Sequence, residues 1–225
     1  DNLKPPCYDY HNILNAETNM SKFLDFILYP KRFYGKLNAK TKYLFWSITL
    51  IGLIDIILFG INYNLFLHFS DRPIEDCLIN ASILIASTII LGFLDVFFVS
   101  IPLSDLFHRL SPKKDLLKKH PARIIFIKAY ICSHFIIAPV SAIIGVLFQD
   151  INVTSSTSTL LLYTLLESLL MVWSASLLTR GVKVIYGYTD KSGYIIFLAL
   201  FFWSNIIVGR VIYFILNPGI LSLLR

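Results

Sequence analysis

Five long apolar segments constrain this chain more than any other feature. They lie near residues 43–64, 79–101, 123–147, 158–178 and 194–216. A helix needs about 20 predominantly apolar residues to cross the hydrocarbon core of a bilayer. Only 15% of the chain is charged, whereas about 25% is usual in a soluble domain. The sequence therefore predicts an all-α, polytopic membrane bundle of five transmembrane helices.

The basic residues alternate between the segments that connect these spans. Lys and Arg number seven in the region ending at Lys42, one in the first loop, six in the second up to Arg123, none in the third, three in the fourth and one in the tail. Because loops rich in Lys and Arg stay in the cytoplasm, we expect the N-terminus inside and the C-terminus outside. The predicted parts are a cytoplasmic region at 1–42, the five-helix domain at 43–216 and a short external tail at 217–225.

Two segments have the pattern of helices that lie on the membrane surface. In SKFLDFILYPKRFYGKL the apolar residues are Phe23, Leu24, Ile27 and Leu28, and they precede a helix-breaking Pro30. Leu103–Leu110 repeats this spacing before Ser111-Pro112. Both segments either anchor the bundle at the membrane interface or dock a partner. The first 20 residues lack the pattern of a signal peptide, so we expect the first span to act as an uncleaved signal anchor.

Three motifs carry a resemblance to a known family. They are YPKRFYGKL before the first span, AYICSHFIIAPVSAIIGV in the third, and WSASLLTRGVKVIYGYTDKSGYIIF between the fourth and fifth. With the five-span pattern, they resemble the Yip domain family (Ypt-interacting-protein-like) from about residue 22 onward. The resemblance implies a cytoplasmic N-terminus and five helices.

The resemblance also carries expectations about function. Eukaryotic members of the family work in vesicle trafficking with small GTPases, in Golgi or ER membranes. Some prokaryotic relatives resemble accessory subunits of peptide-exporting ABC systems or stress-related membrane proteins. The N-terminal region here lacks the long Pro- and Gly-rich tail and the DLYGP-type signature of many eukaryotic members. This departure favours a prokaryotic-type member in the plasma membrane.

Ionisable residues inside the predicted spans need an explanation, because each costs about 2.5–3.5 kcal/mol on insertion scales. Comparing their depths at about 1.5 Å per residue predicts three pairs. These are Asp95 with Lys128, Glu167 with Arg210, and Asp55 with His134. The pairs either hold the bundle together or form an ion or proton path in which Asp55, His134 and Glu167 titrate. Side chains that face an aqueous cleft or reach out to the interface are a third alternative.

Small and polar residues form two stripes at helical spacing, which we expect to face inward as packing surfaces. On the third helix they are His134, Ala138, Ser141 and Gly145, and on the fourth they are Thr164, Glu167, Met171 and Ser174.

Motifs for catalysis and for cofactors are missing from the sequence. It contains no phosphate-binding GxxxxGK[ST], no GxGxxG, no HExxH and no GxSxG. Cys7, Cys77 and Cys132 lack the spacing of metal ligands. We therefore expect no enzymatic activity, no cofactor and no metal site. The clustered positive charge suits anionic lipid headgroups better than nucleic acid.

The turn between the fourth and fifth spans is the predicted partner-contact loop. Its residues are Tyr186, Gly187, Tyr188, Asp190, Lys191 and Gly193. The alternative is a plain helix connection that needs glycine for its turn.

Two functions follow from these patterns. The first is a nonenzymatic Yip-like scaffold or accessory subunit of a trafficking or export system. It would contact lipids and a protein partner, either an ABC-type exporter component or a small GTPase, and a homo-oligomer is allowed. The alternative is a small transporter or channel component that moves an ion or a proton through the buried charges.

Overall fold

The computed structural model describes residues 31–62, 65, 69–70, 72–113, 118–149, 151 and 155–224. Five long helical segments cover most of this part of the chain: α1 Leu44–Asn62, α2 Ile74–Leu110, α3 Lys119–Leu147, α4 Thr157–Tyr186 and α5 Asp190–Leu223. Each is long and apolar enough to cross a membrane. The prediction of an all-α bundle with five spans is confirmed. The surface segment around Phe23–Leu28, Pro30, Cys7 and Arg225 lie outside the described residues.

Helix α2 is much longer than its predicted span. At about 1.5 Å per residue, its 37 residues are longer than a hydrocarbon core of about 30 Å. The prediction of a separate surface helix over Leu103–Leu110 is wrong, because α2 continues through Pro102 to Leu110. Leu103 and Phe107 are buried, and the Phe107 ring packs against Phe126 and Tyr186. This packing keeps the segment in the bundle.

Helices α1 and α2 approach each other closely at two glycines. A Cβ atom at Gly52 would collide with the carbonyl oxygen of Thr88, and one at Gly92 would collide with the carbonyl oxygen of Ile48. Only glycine lets the two backbones come this close. Asp55 and Asp95 each follow one of these glycines by three residues, so the crossing brings both carboxylates into the same part of the bundle.

Helix α5 is wound irregularly. A 3₁₀ turn at Asp190–Ser192 leads into α-helix at Gly193–Leu200, and π-helical turns follow at Phe201–Val208 and Ile215–Ile220, separated by α-helix at Gly209–Phe214. The indole nitrogen of Trp203 donates a hydrogen bond to the carbonyl oxygen of Phe98, 2.8 Å away, which attaches the first π segment to α2. Turns of the π type inside α-helices often mark functional sites, and this one carries Asn205.

A short helix at Lys31–Tyr34 precedes α1 and packs against the bundle. The Tyr34 side chain is buried, and its hydroxyl shares a 2.9 Å hydrogen bond with the hydroxyl of Ser133 on α3. The Tyr34 ring packs beside Gly181 on α4. Burial raises the pKa of Tyr34 to about 12, so it stays protonated at neutral pH.

Candidate functional site

Three side chains with metal-ligating atoms meet inside the bundle, one from each of the first three helices. They are Asp55 on α1, Asp95 on α2 and His134 on α3, and their ligand atoms all lie within 4.8 Å of one another. The Nε2 atom of His134 lies 3.6 Å from Oδ1 of Asp55 and 3.9 Å from Oδ2 of Asp95. The structure therefore brings together the predicted pair of Asp55 and His134, and it adds Asp95.

Tyr130 completes this group, one helical turn before His134. Its hydroxyl donates to both carboxylate oxygens of Asp95, at 3.0 and 2.8 Å. Its ring packs edge-on against the imidazole of His134, with 5.1 Å between the ring centroids. Both Tyr130 and Asp95 are buried. We call Asp55, Asp95, Tyr130 and His134 the intramembrane cluster.

The intramembrane cluster has more acceptors than donors. Oδ2 of Asp55 is buried and has no hydrogen-bond partner within the described part of the chain. Two carboxylates with one imidazole carry a net negative charge when ionised, even if the imidazole is protonated. A net charge in a low-dielectric interior is costly. A proton or another cation bound here would remove that cost.

Two carboxylates and one imidazole are also a ligand set that divalent transition metals accept. Ligand atoms about 2.1 Å from a shared tetrahedral metal lie about 3.4 Å from one another. The spread of up to 4.8 Å means that the side chains would have to draw inward to hold an ion. The prediction that the chain has no metal site was based on ligand spacing along the sequence. These three residues are distant in sequence and meet only in the fold.

A cavity of about 220 Å³ adjoins the intramembrane cluster between α3 and α4. Its walls are formed by Leu58, His134, Ile137, Ala138, Ser141, Glu167, Leu170, Met171, Ser174 and Asn205. His134 thus belongs to both the cluster and the cavity, while Glu167 on α4 and Asn205 on α5 supply the cavity's other long polar side chains.

The two predicted stripes face each other here only in part. His134, Ala138 and Ser141 from α3 and Glu167, Met171 and Ser174 from α4 line the cavity. Gly145 is buried, while Thr164 is exposed and bonds to the carbonyl oxygen of Leu160 within its own helix. The expectation that the stripes face inward therefore holds for most of their residues but not for Thr164, and a cavity, rather than direct contact, separates part of the two helices.

The other two predicted charge pairs are wrong. Lys128 donates to the backbone oxygen of Asn38 at 2.8 Å and to Oδ1 of Asn38 at 3.3 Å, and the structure does not pair it with Asp95. Among the described residues, Glu167 and Arg210 form no ion pair, and Arg210 is exposed. These pairs were predicted only from the depth of each residue along its helix. The direction in which each side chain points decides which side chains make contact, and depth does not give that direction.

The turn between α4 and α5 is attached to the end of α2. The hydroxyl of Tyr186 shares a 2.9 Å hydrogen bond with Ser104, and its carbonyl oxygen accepts one from the Ser111 hydroxyl at 2.7 Å. Tyr188 donates to the carbonyl oxygen of Phe107 at 2.8 Å. Because Tyr186 is buried, its predicted role in partner contact is wrong.

The glycines of this turn differ in their roles. Gly187 has a φ of 71° and ends α4 in the left-handed conformation, which supports the expectation that the connection needs glycine here. Gly193 is right-handed, with a φ of −58°, so its predicted role in the turn is wrong. Asp190 forms an ion pair with Lys183, while Lys191 is exposed. Partner contact through these outer residues stays a prediction.

Two residues of the candidate site were not singled out from the sequence: Tyr130 and Asn205. A signal existed for Tyr130, because it precedes His134 by four residues and so shares its helix face. Asn205 gave no such signal, because the cavity that it lines forms only where α5 meets the other helices.

Comparison of the chain with models of protein families, with curated proteins and with solved structures found no match. The interpretation of the site therefore depends on the residues that form it.

Proposed function

We propose that this chain is a nonenzymatic, multi-pass membrane protein that binds a cation inside the bilayer as a component of a transport system. The observation that supports this most directly is the convergence of Asp55, Asp95 and His134, with ligand atoms within 4.8 Å of one another. An intramembrane group of ionisable side chains is costly to insert and commonly marks an ion or proton pathway.

The composition of the intramembrane cluster favours ion binding over a purely structural role. A structural ion pair would match each charge with an opposite one, since an unmatched buried charge destabilises the fold. Here two carboxylates share one imidazole, and an oxygen of Asp55 is buried without a hydrogen-bond partner among the described residues. The unpaired carboxylate oxygen can therefore bind a cation that enters from outside the cluster.

The adjoining cavity offers a route between the cluster and α4. Glu167 lines the same cavity as His134, so a cation released by His134 would meet a further acidic group, outside the cluster, across it. Asn205 adds an amide to that cavity from the π-helical segment of α5. In this proposal Asp55, Asp95 and His134 hold the cation, Tyr130 positions Asp95, and Glu167 accepts the cation on exchange.

Flux measurements in liposomes test the proposal. The purified protein is reconstituted, and uptake of Mn²⁺, Co²⁺ or Zn²⁺ and movement of protons are followed with dyes trapped inside. We expect flux of one of these cations in the unchanged protein and background flux in Asp55→Asn, Asp95→Asn and His134→Gln. Glu75→Gln is the matched control, because Glu75 is exposed near the start of α2 and its loss should leave flux unchanged.

Direct metal binding separates the two kinds of cation. Metal bound after gel filtration, measured by mass spectrometry, should be stoichiometric and should vanish in His134→Gln if a divalent metal is the ligand. Proton flux without bound metal would identify the proton instead. Absence of both flux and bound metal in a folded, reconstituted protein would refute the proposal.

A scaffold or accessory subunit is the second candidate. The resemblance to the Yip domain family supports it, and so does the low burial of the last two spans. Their most apolar windows are each 17% buried, compared with 39% for α2, so α4 and α5 have apolar surface available to lipid or to a second membrane protein. Purification in a gentle detergent followed by mass spectrometry is the test. A stoichiometric ABC-type exporter component or small GTPase would support this function, and a clean homomer would contradict it.

We also propose that the N-terminus is cytoplasmic and that the plasma membrane is the location, as the distribution of basic residues and the prokaryotic-type resemblance suggest. Single cysteines at Thr157 and Lys191, in a background without Cys7, Cys77 and Cys132, test the orientation. Both positions are exposed, at opposite ends of the α4–α5 pair. An impermeant thiol reagent should label the cysteine at 157 in intact cells and the one at 191 only after permeabilisation.

A further inference from the structure

A second pocket lies apart from the intramembrane cluster, between the segment that leads into α1 and the N-terminal and middle turns of α3. Its volume is about 530 Å³. Its polar walls include Asn38, Lys40, Lys42 and Lys128, and its apolar walls include Ile131 and Phe135. The pocket is independent of the cation site proposed above.

The pocket is strongly basic. Three lysines line it, and none of the residues described around it is a carboxylate. Within the described part of the chain none of these lysines forms an ion pair. Positive charges gathered around a cavity without counter-charges attract an anion.

One of these lysines is held in place. The ammonium group of Lys128 donates to the backbone oxygen and to Oδ1 of Asn38, at 2.8 and 3.3 Å. Oδ1 of Asn38 also accepts from the backbone nitrogen of Lys40, 3.2 Å away. An ammonium group has three donors, so Lys128 keeps one for a ligand. This network holds the ammonium of Lys128 against Asn38, at the backbone that leads to Lys40, before any ligand arrives.

The position of the pocket indicates an amphiphilic ligand. Tyr43 lines it at the start of α1, and the next turn carries the exposed Trp46. Aromatic side chains at a span end mark the membrane–water interface. Leu44, Ile131 and Phe135 extend the pocket along the apolar part of the helices. A soluble anion would need only the lysines, whereas a phospholipid uses both walls.

We propose that this pocket binds one anionic phospholipid, with its phosphate on the three lysines and an acyl chain along Ile131 and Phe135. The chemistry recognised is a phosphodiester or phosphomonoester headgroup. The ammonium of Lys42 lies 5.3 Å from the ring centre of Tyr43. Lys42 is exposed, whereas Lys128 is half-buried.

Native mass spectrometry of the protein released from nanodiscs tests this. The nanodiscs contain an equimolar mixture of phosphatidylcholine and phosphatidylglycerol. We expect the unchanged protein to retain one phosphatidylglycerol in preference to phosphatidylcholine. The triple variant Lys40→Gln, Lys42→Gln, Lys128→Gln should bind it about a hundredfold more weakly, because each lysine beside an anionic lipid contributes about fivefold in affinity.

A variant of equal charge separates this pocket from general electrostatic attraction. Lys36→Gln, Lys118→Gln, Lys191→Gln removes three exposed lysines that do not line the pocket and should retain the lipid. Equal loss of lipid in both triple variants would overturn the proposal, as would retention without headgroup preference. Gel filtration of each variant checks that it is folded, and Lys42→Gln alone, at an exposed position, should weaken binding about fivefold if the triple variant does not fold.

Soluble phosphates separate a lipid from a free anion. Inorganic phosphate and glycerol phosphate share the headgroup chemistry but lack the acyl chains. We expect neither to displace phosphatidylglycerol at millimolar concentration. Displacement by either one would show that the pocket takes a free phosphate and would overturn the assignment to a lipid.

Discussion

Tyr130 donates its hydroxyl to both carboxylate oxygens of Asp95, at 3.0 and 2.8 Å. One side chain on α3 thus fixes the orientation of a buried carboxylate on α2, and it does so one turn away from His134. Removing the hydroxyl by Tyr130→Phe should weaken cation binding by about 10- to 100-fold, the usual effect of losing a group that orients a metal ligand. Bound metal or flux in liposomes is the measurement.

The same substitution should lower the free energy of unfolding by about 1.5–3 kcal/mol, because a hydrogen bond to a charged group is lost. Tyr163→Phe is the control, since Tyr163 packs against Phe148 at the other end of the bundle. Unchanged cation binding in Tyr130→Phe would contradict a positioning role for this hydroxyl.

The crossing at Gly52 and Gly92 should be intolerant of a methyl group. Gly52→Ala and Gly92→Ala should each lower the free energy of unfolding by about 1–3 kcal/mol, because the added Cβ would collide with backbone rather than with a flexible side chain. Denaturant titration in detergent measures this. In Gly209→Ala the added atom would lie 3.6 Å from the nearest heavy atom, so this control should change stability by less than about 0.5 kcal/mol.

The crossing also makes a prediction about the cluster. Because Asp55 and Asp95 each follow one of these glycines by three residues, separating the helices should move the carboxylates apart. Cation binding should fall in Gly52→Ala and remain in Gly209→Ala. Equal binding in both variants would show that the cluster does not depend on the crossing.

The left-handed turn at Gly187 should be sensitive to substitution. Gly187→Ala should lower the free energy of unfolding by about 1–2 kcal/mol, because an L-residue is strained at a φ of 71°. The new Cβ would also displace the Lys113 side chain. Gly187→Asn should cost less, since Asn adopts this conformation more readily. Gly193→Ala is the control, with 3.7 Å of room. Thermal unfolding of the three variants checks the order.

The buried hydroxyl of Tyr34 should make stability fall at alkaline pH. Its pKa is raised from 10.0 to about 12 by burial, so the folded state holds this proton more tightly than the unfolded chain. The contribution of the protonated hydroxyl to the free energy of unfolding is complete below pH 10 and is lost as the pH rises toward 12. Tyr34→Phe should lower stability by about 1 kcal/mol at neutral pH but should flatten the alkaline decline. Tyr43→Phe, at an exposed position, should keep the decline unchanged.

The class of the fold follows from the sequence alone, because a bilayer imposes a length and an apolar composition on every span. A run of about 20 apolar residues can be recognised without knowing how the helices pack. The five spans and their approximate positions were therefore predictable. The left-handed turn was predictable for a similar local reason, since a helix end of this kind favours glycine at position 187.

The tertiary structure alone decided which charged side chains meet. Asp95 was predicted to pair with Lys128 because the two have similar depths, yet Asp95 contacts Tyr130 and His134, and Lys128 contacts Asn38. Depth follows from sequence position at a fixed rise per residue, whereas the facing direction depends on how helices rotate and cross. That crossing is set by the backbone contact at Gly52 and Gly92, and the cluster of Asp55, Asp95 and His134 exists only once those helices have packed.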